Sequence, residues 1–201
     1  MDPSKADQIA EEIINLYLRY GEAEYAGEKV SQLEHMVQAA QLARAQGYED
    51  EVVLAAFLHD IGHIAEKQSA VNTMGDFGIK DHEALGAEFL SARGFSKRLT
   101  RLVSSHVIAK RYLTLREPGY YDKLSDASKR TLEYQGGPLS NTEADFLEKD
   151  PLFHEIVQMR RWDEEAKQEH QPMPALSFFK ELIFQHLLSQ TAVDEARNSR
   201  I

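Results

Sequence analysis

Apolar residues recur along this chain at helical intervals almost from end to end. Ile9, Ile13, Leu16, Tyr17 and Tyr20 keep the spacing of one amphipathic face and predict a helix over residues 9–20. Val30, Leu33, Val37, Ala40 and Ala43 line one side of a second, over 29–46, with Gly47 as its stop. The third runs from about Asp50 to Ile64. Its stretch Val52–Leu58 is apolar all round, which predicts a central, buried helix. A fourth covers 81–93 and ends at Gly94; Ser96 can cap a fifth through about Arg111. Further helices are predicted at 122–134, 142–149, 151–169 and 175–190. The breaks carry turn residues: Asn72, Gly75, Asp76 and Gly78 within 65–80, Gly136-Gly137-Pro138 within 135–141, and Pro172-Met173-Pro174. No strand-like alternation persists and no repeat emerges, so the expected fold is all-α. A single domain over 1–190 would be followed by a polar tail at 191–201.

Composition narrows the chemistry. At 201 residues and 42% hydrophobic, the chain suits one well-buried core. A formal charge of −10 argues against a broad nucleic-acid-binding surface, though not against a small anion held by local cations. The absence of cysteine removes disulfides, thiolate metal sites and cysteine nucleophiles together, so any metal must sit on nitrogen and oxygen. No signal-peptide pattern or membrane-length apolar run occurs, and a cytoplasmic location is the expectation.

Five of the eight histidines stand out: His35, His59, His63, His82 and His106. His59-Asp60 closes one of the most apolar runs in the chain, where a carboxylate is costly unless paired or bound to metal. A carboxylate beside an imidazole can bridge two ions while the other histidines fill the remaining positions, and Asp163 is a candidate last ligand. Lys110 follows His106 by one helical turn and Arg160 precedes Asp163 by one, bringing cations toward the same place. His154, His170 and His186 have no such partners and read as structural.

His35 followed by His59-Asp60-Ile61-Gly62-His63 resembles the HD-domain superfamily of helical metal-dependent enzymes, and His82 with His106 resembles its two-metal branch. Tyr25-Ala26-Gly27-Glu28, Ser31-Gln32-Leu33-Glu34-His35 and the segment from His106 to Leu113 are similar to the mixed-valent di-iron oxygenases that cleave organophosphonates. The resemblance covers residues 9–190. It implies an HD-domain helical bundle holding an Fe(II)/Fe(III) pair, with O2 as co-substrate. Asp60 would bridge, with His35, His59 and Asp163 on one ion and His82 and His106 on the other. It further implies substrate contacts from His63, Lys110, Ser128, Thr131, Gln135 and Arg160. Tyr25 would occupy an iron position before substrate arrives, and Glu28 would meet the substrate's cationic nitrogen and release Tyr25. The implied reaction converts a 1-hydroxy-2-aminoethylphosphonate-type substrate to phosphate and glycine. A trimethylammonium substrate giving glycine betaine is the alternative, for which Tyr112, Tyr120, Tyr121 or Trp162 could supply an aromatic surface. An HD phosphohydrolase using the same ligands, and a non-catalytic metal-binding module, are the readings from other classes.

Overall fold

The computed structural model describes the chain apart from residues 26, 66–72, 76, 77 and 199–201, with 191–198 described by backbone only. The sequence readings at Ala26, Asn72 and Asp76 therefore lie outside the described residues. Among the described residues there are twelve helices and no strand; two isolated bridges pair Glu24 with Ser31 and Thr73 with Ile79. Helix α1 (Pro3–Tyr20) begins at Asp2, whose carboxylate accepts from Lys5 N–H. Helix α2 (Gln32–Ala45) starts on a reciprocal cap in which Ser31 and Glu34 satisfy each other's backbone N–H groups.

Helix α3 (Asp50–Leu58) is the centre of the bundle, and every residue from Val52 to Leu58 is buried. It packs on α2, on α6 (Lys97–Val103) and on α12 (Leu176–Asn198), while α12 also lies along α1. Phe57 stacks on Phe179 at 3.9 Å and on Tyr17 at 4.5 Å. Burying side chains of this size stabilises by about 1.5–3 kcal/mol each. Helix α11 (Phe153–Glu165) packs on α2 and on α7 (His106–Arg116), and α5 (His82–Ser91) packs on α6 and the short α4 (Gly62–Ala65). Three short helices, α8 (Tyr120–Lys123), α9 (Asp126–Tyr134) and α10 (Asn141–Leu147), complete the order.

Three expected helices are broken, and two of the breaks deliver a histidine. The one expected over 50–64 stops at Leu58 and resumes at Gly62. In a continuous helix Phe57 C=O would accept from Ile61 N–H, which instead donates to Leu58 C=O at 3.1 Å. Tyr17 O–H donates to the freed Phe57 carbonyl at 2.7 Å, and His59 Nδ1 meets the Ala56 carbonyl at 2.8 Å. The second break divides α6 from α7 at Ser104-Ser105, whose hydroxyls both donate to Arg101 C=O and compete with the helix ladder. Ser125 likewise separates α8 from α9 by capping the latter. At the other end, α12 continues past residue 190 to Asn198. No helix among the described residues is long and apolar enough to cross a membrane.

Candidate metal centre and anion pocket

His35, His59, Asp60, His82, His106 and Asp163 converge from α2, the α3–α4 turn, α5, α7 and α11, and all six are buried. Asp60 spans the cluster with a different oxygen to each side. Its Oδ2 lies 3.3 Å from His59 Nε2 and 3.5 Å from His35 Nε2; its Oδ1 lies 3.2 Å from the Nε2 of both His82 and His106. Asp163 Oδ1 joins the first group, 3.4 Å from His35 Nε2.

The imidazoles share one hydrogen-bond device. Nδ1 of His59, His82 and His106 each meets the carbonyl three residues earlier, Ala56, Ile79 and Val103, at 2.8, 3.1 and 2.9 Å. His35 Nδ1 reaches the Ala166 carbonyl, just past α11, at 2.9 Å. A carbonyl only accepts, so each Nδ1 carries the hydrogen and each neutral ring turns its Nε2 lone pair inward. Those lone pairs face each other at 3.1 Å between His35 and His59 and at 2.9 Å between His82 and His106. Both oxygens of Asp60 and Oδ1 of Asp163 are buried with no hydrogen-bond partner. Such an arrangement repels itself unless cations lie within it. A proton on His35 Nε2 answers the same need for positive charge: burial alone would lower His35, but its contacts with Asp163 and Asp60 outweigh that and raise its pKa to about 9. Burial also opposes ionisation of Asp60 and Asp163, yet His59 beside the first and Arg160 beside the second hold both carboxyls well below the usual range. The donor set therefore fits two hard or borderline divalent ions, and Asp60, with one oxygen toward each pair of histidines, would serve both.

His63 departs from this pattern. Its ring lies close to Asp60 and His82 and stacks on His82 at 3.9 Å. However, its Nδ1 accepts from Ile79 N–H at 3.2 Å, which leaves the hydrogen on Nε2 as a donor. Gly78 makes this placement possible: at φ +95° it has left-handed backbone, and a Cβ there would sit 2.7 Å from the His63 ring.

A cavity of about 70 Å³ opens onto the centre and is lined by His82, His106 and Asp163 together with Tyr25, Glu28, His63, Lys110, Ser128, Thr131, Gln135 and Arg160. Every residue that the resemblance assigned to metal or substrate is thus either in the buried histidine–aspartate cluster or on this cavity's wall. Lys110 is buried and donates to Thr131 Oγ1 at 2.9 Å; burial, with Arg160 and Lys167 nearby, brings its pKa down to about 7. Arg160 binds Asp163 Oδ2 through Nη1, which aims the other carboxylate oxygen at the histidines. Its Nε donates to Glu164 Oε1 at 2.8 Å, while Nη2 is buried without a partner. A guanidinium N–H so placed suits an anion oxygen. Tyr25 stacks on His35 at 4.0 Å, and burial followed by the charge of Asp60 keeps the proton on its phenol. Tyr25 C=O accepts from Glu28 N–H at 2.8 Å, so the two residues are ends of one turn, and Gly27 within it has φ +77°.

Sequence reasoning missed two polar side chains of the wall, Gln32 and Lys167. Lys167 Nζ lies 2.6 Å from Glu28 Oε1, which also accepts from Ser125 O–H at 2.7 Å. Lys167 sits two residues past α11 and four residues after Asp163, the same interval that links His106 to Lys110, so the spacing that marked Lys110 was present here as well. None of the four aromatics considered for a quaternary ammonium lines the cavity. Tyr120 and Trp162 are packed into the interior, Tyr112 is edge-on to Phe153, and Tyr121 is exposed. Among the histidines read as structural, His186 accepts from Ser96 N–H at 3.2 Å, and His154 and His170 are exposed.

The HD domain model matches residues 33–164, which contain the whole ligand cluster. An uncharacterised protein of Acanthamoeba polyphaga mimivirus is 40% identical over 179 residues, covering 89% of this chain and 82% of its own. The [1-hydroxy-2-(trimethylamino)ethyl]phosphonate dioxygenase (glycine-betaine-forming) of Leisingera caerulea is 37% identical over 184 residues, 90% of this chain and 93% of its own. The hydroxymethylphosphonate dioxygenase of Gimesia maris is 39% identical over 166 residues, 82% of this chain and 81% of its own. The chain therefore belongs to the HD-domain family and, within it, to the group of relatives that includes these two phosphonate dioxygenases.

Proposed function

We propose that this protein is an oxygenase that cleaves the carbon–phosphorus bond of a 1-hydroxyphosphonate at an iron pair. Asp60 carries the reading: each of its oxygens faces a separate pair of imidazoles, and neither has a proton donor. His35, His59 and Asp163 would hold one iron and His82 and His106 the other, and the pair would supply redox chemistry and Lewis acidity when bound. The second ion has fewer protein donors, and its histidines line the cavity, so substrate would reach it there.

The chain's own side chains then have separate tasks. Lys110 and the free Nη2 of Arg160 would neutralise the phosphonate, with Ser128 and Thr131 adding hydroxyls. His63 would donate from Nε2, its ring being neutral because burial, and then His82, push its pKa well down. Tyr25, poised beside Asp60, would leave the centre as substrate enters. The overall balance is R–CH(OH)–PO3H2 + O2 → R–COOH + H3PO4. The C1–H and C–P bonds break, carbon leaves as the carboxylic acid, and O2 supplies the two oxygen atoms gained by the products. The amine-bearing substrate expected from the sequence requires Glu28 to be available to an ammonium.

The test is phosphate release from hydroxymethylphosphonate and from 1-hydroxy-2-aminoethylphosphonate by iron-loaded protein, in air and under argon. Release confined to air is the expected result. Equal release under argon would favour the hydrolase, which shares the ligands but has no use for O2.

A further inference from the structure

Among the described residues, the Glu28 carboxylate is the one acidic group on the cavity wall besides Asp163, and it already has a cation. Lys167 Nζ lies 2.6 Å away, with the lysine side chain 15% exposed and the glutamate 13%. Lys167 does not reach this point on a free arm. The preceding residue, Ala166, gives its carbonyl to His35 Nδ1. The following one, Gln168, is clamped by the Gln38 amide, which donates to Gln168 C=O at 2.9 Å and accepts from Gln168 N–H at 3.0 Å. The backbone on both sides of Lys167 is thus tied to α2, the helix that carries His35. Ser125, at the cap of α9, holds the same oxygen of Glu28 from the opposite side.

We infer that Lys167 is an internal counter-cation filling the place a substrate ammonium would take, so that this enzyme selects 1-hydroxyphosphonates without a cationic nitrogen. The inference rests on the proposed function and names its substrate class. An ammonium substrate would have to displace Lys167 from a pair that is largely out of water, leaving that lysine without its acceptor beside two other cations, Lys110 and Arg160. Displacement by a trimethylammonium is less favourable still, since it donates no hydrogen bond to Glu28, and Tyr25, the tyrosine on the wall, already has the Lys167 ammonium 5.9 Å from its ring centroid. A substrate whose C1 bears only hydrogen or a small neutral group makes no demand on Glu28. Hydroxymethylphosphonate is the smallest such compound.

The experiment compares hydroxymethylphosphonate with 1-hydroxy-2-aminoethylphosphonate on the iron-loaded protein, by anaerobic calorimetry for affinity and by kcat/KM in air. The wild type is expected to favour hydroxymethylphosphonate by at least tenfold, about 1.4 kcal/mol. Lys167→Met, which frees Glu28, is expected to move that ratio tenfold or more toward the amine, and Lys167→Arg to keep it. A wild type that prefers the amine overturns the inference without any variant, as does a Lys167→Met ratio within twofold of wild type. Phosphate release from neither compound in air would instead overturn the proposed function, while turnover of both with an unmoved ratio overturns this inference alone.

Discussion

Replacing Lys110 by Met should stabilise the fold while disabling the pocket. The ammonium is buried and close to Arg160 and Lys167; burial first, and those two cations after it, bring its pKa from 10.5 to about 7. A lysine whose charged form is disfavoured on folding binds fewer protons in the native state than in the unfolded chain. Its cost is therefore fully present below about pH 7 and fades as pH rises toward the unfolded value near 10.5. At pH 7 the folded group is half-titrated, and the cost is about 4 kcal/mol. The lost bond to Thr131 returns about 1 kcal/mol of that. The net gain of about 3 kcal/mol corresponds to roughly 6–12 °C in Tm for a chain of this size. By pH 9 the electrostatic cost halves, to about 2 kcal/mol, and the gap between the proteins should narrow accordingly. The assay is calorimetric melting of chelator-treated wild type and Lys110→Met at pH 7 and 9. The same substitution should lower kcat/KM of the iron-loaded enzyme by about 10- to 100-fold, since a charge-assisted bond contributes about 1.5–3 kcal/mol. A variant that melts at or below wild type at pH 7, a gap that widens with pH, or an unchanged kcat/KM would refute this account of Lys110.

Metal binding should appear as stability even without substrate. Two ions at about a hundredfold over their dissociation constants add about 5 kcal/mol, or roughly 10–20 °C, so chelated and iron(II)-loaded protein melting within two degrees or so would speak against the centre. Gly62→Ala should damage one half of it. A Cβ at residue 62 would lie 2.0 Å from the His82 carbonyl oxygen and 2.9 Å from Gly86 N, both backbone atoms that cannot step aside. Parting α4 from α5 in this way should cost about 1–3 kcal/mol and carry His82 away from Asp60. Elemental analysis is expected to find one tightly held ion per chain in place of two; two ions with a wild-type melt would contradict the close packing.

The buried histidine–aspartate cluster was legible in the sequence because placing His59-Asp60 at the end of an apolar helix has few physical explanations other than a partnered or metal-holding site. The all-α class was legible for a similar reason, since hydrophobic spacing reports helix faces directly. Periodicity could not show where those helices break. Residues 50–64 keep an apolar rhythm across the turn at His59–Ile61, and the break shows only in three dimensions, where Tyr17 and His59 itself take the carbonyls it frees. Lys167 was passed over although it follows Asp163 by four residues; what no local spacing encodes is its pairing with Glu28, more than a hundred positions away, and the hold of Gln38 on the neighbouring Gln168. The spacing of Arg160 to Asp163 brought a cation to the site and the resemblance implied a substrate contact; the structure adds that Arg160 binds one oxygen of that carboxylate and turns the other toward His35. The aromatic residues near the site in sequence proved to be core and surface, because side-chain direction is set by packing.

The most direct test of the central claim is to follow oxygen uptake and phosphate release together in iron-loaded protein given hydroxymethylphosphonate. The account predicts one phosphate and one formate for each O2 consumed, no phosphate without oxygen, and no release from a simple phosphate monoester. Phosphate release without O2 uptake, or hydrolysis of the monoester at a comparable rate, would contradict it.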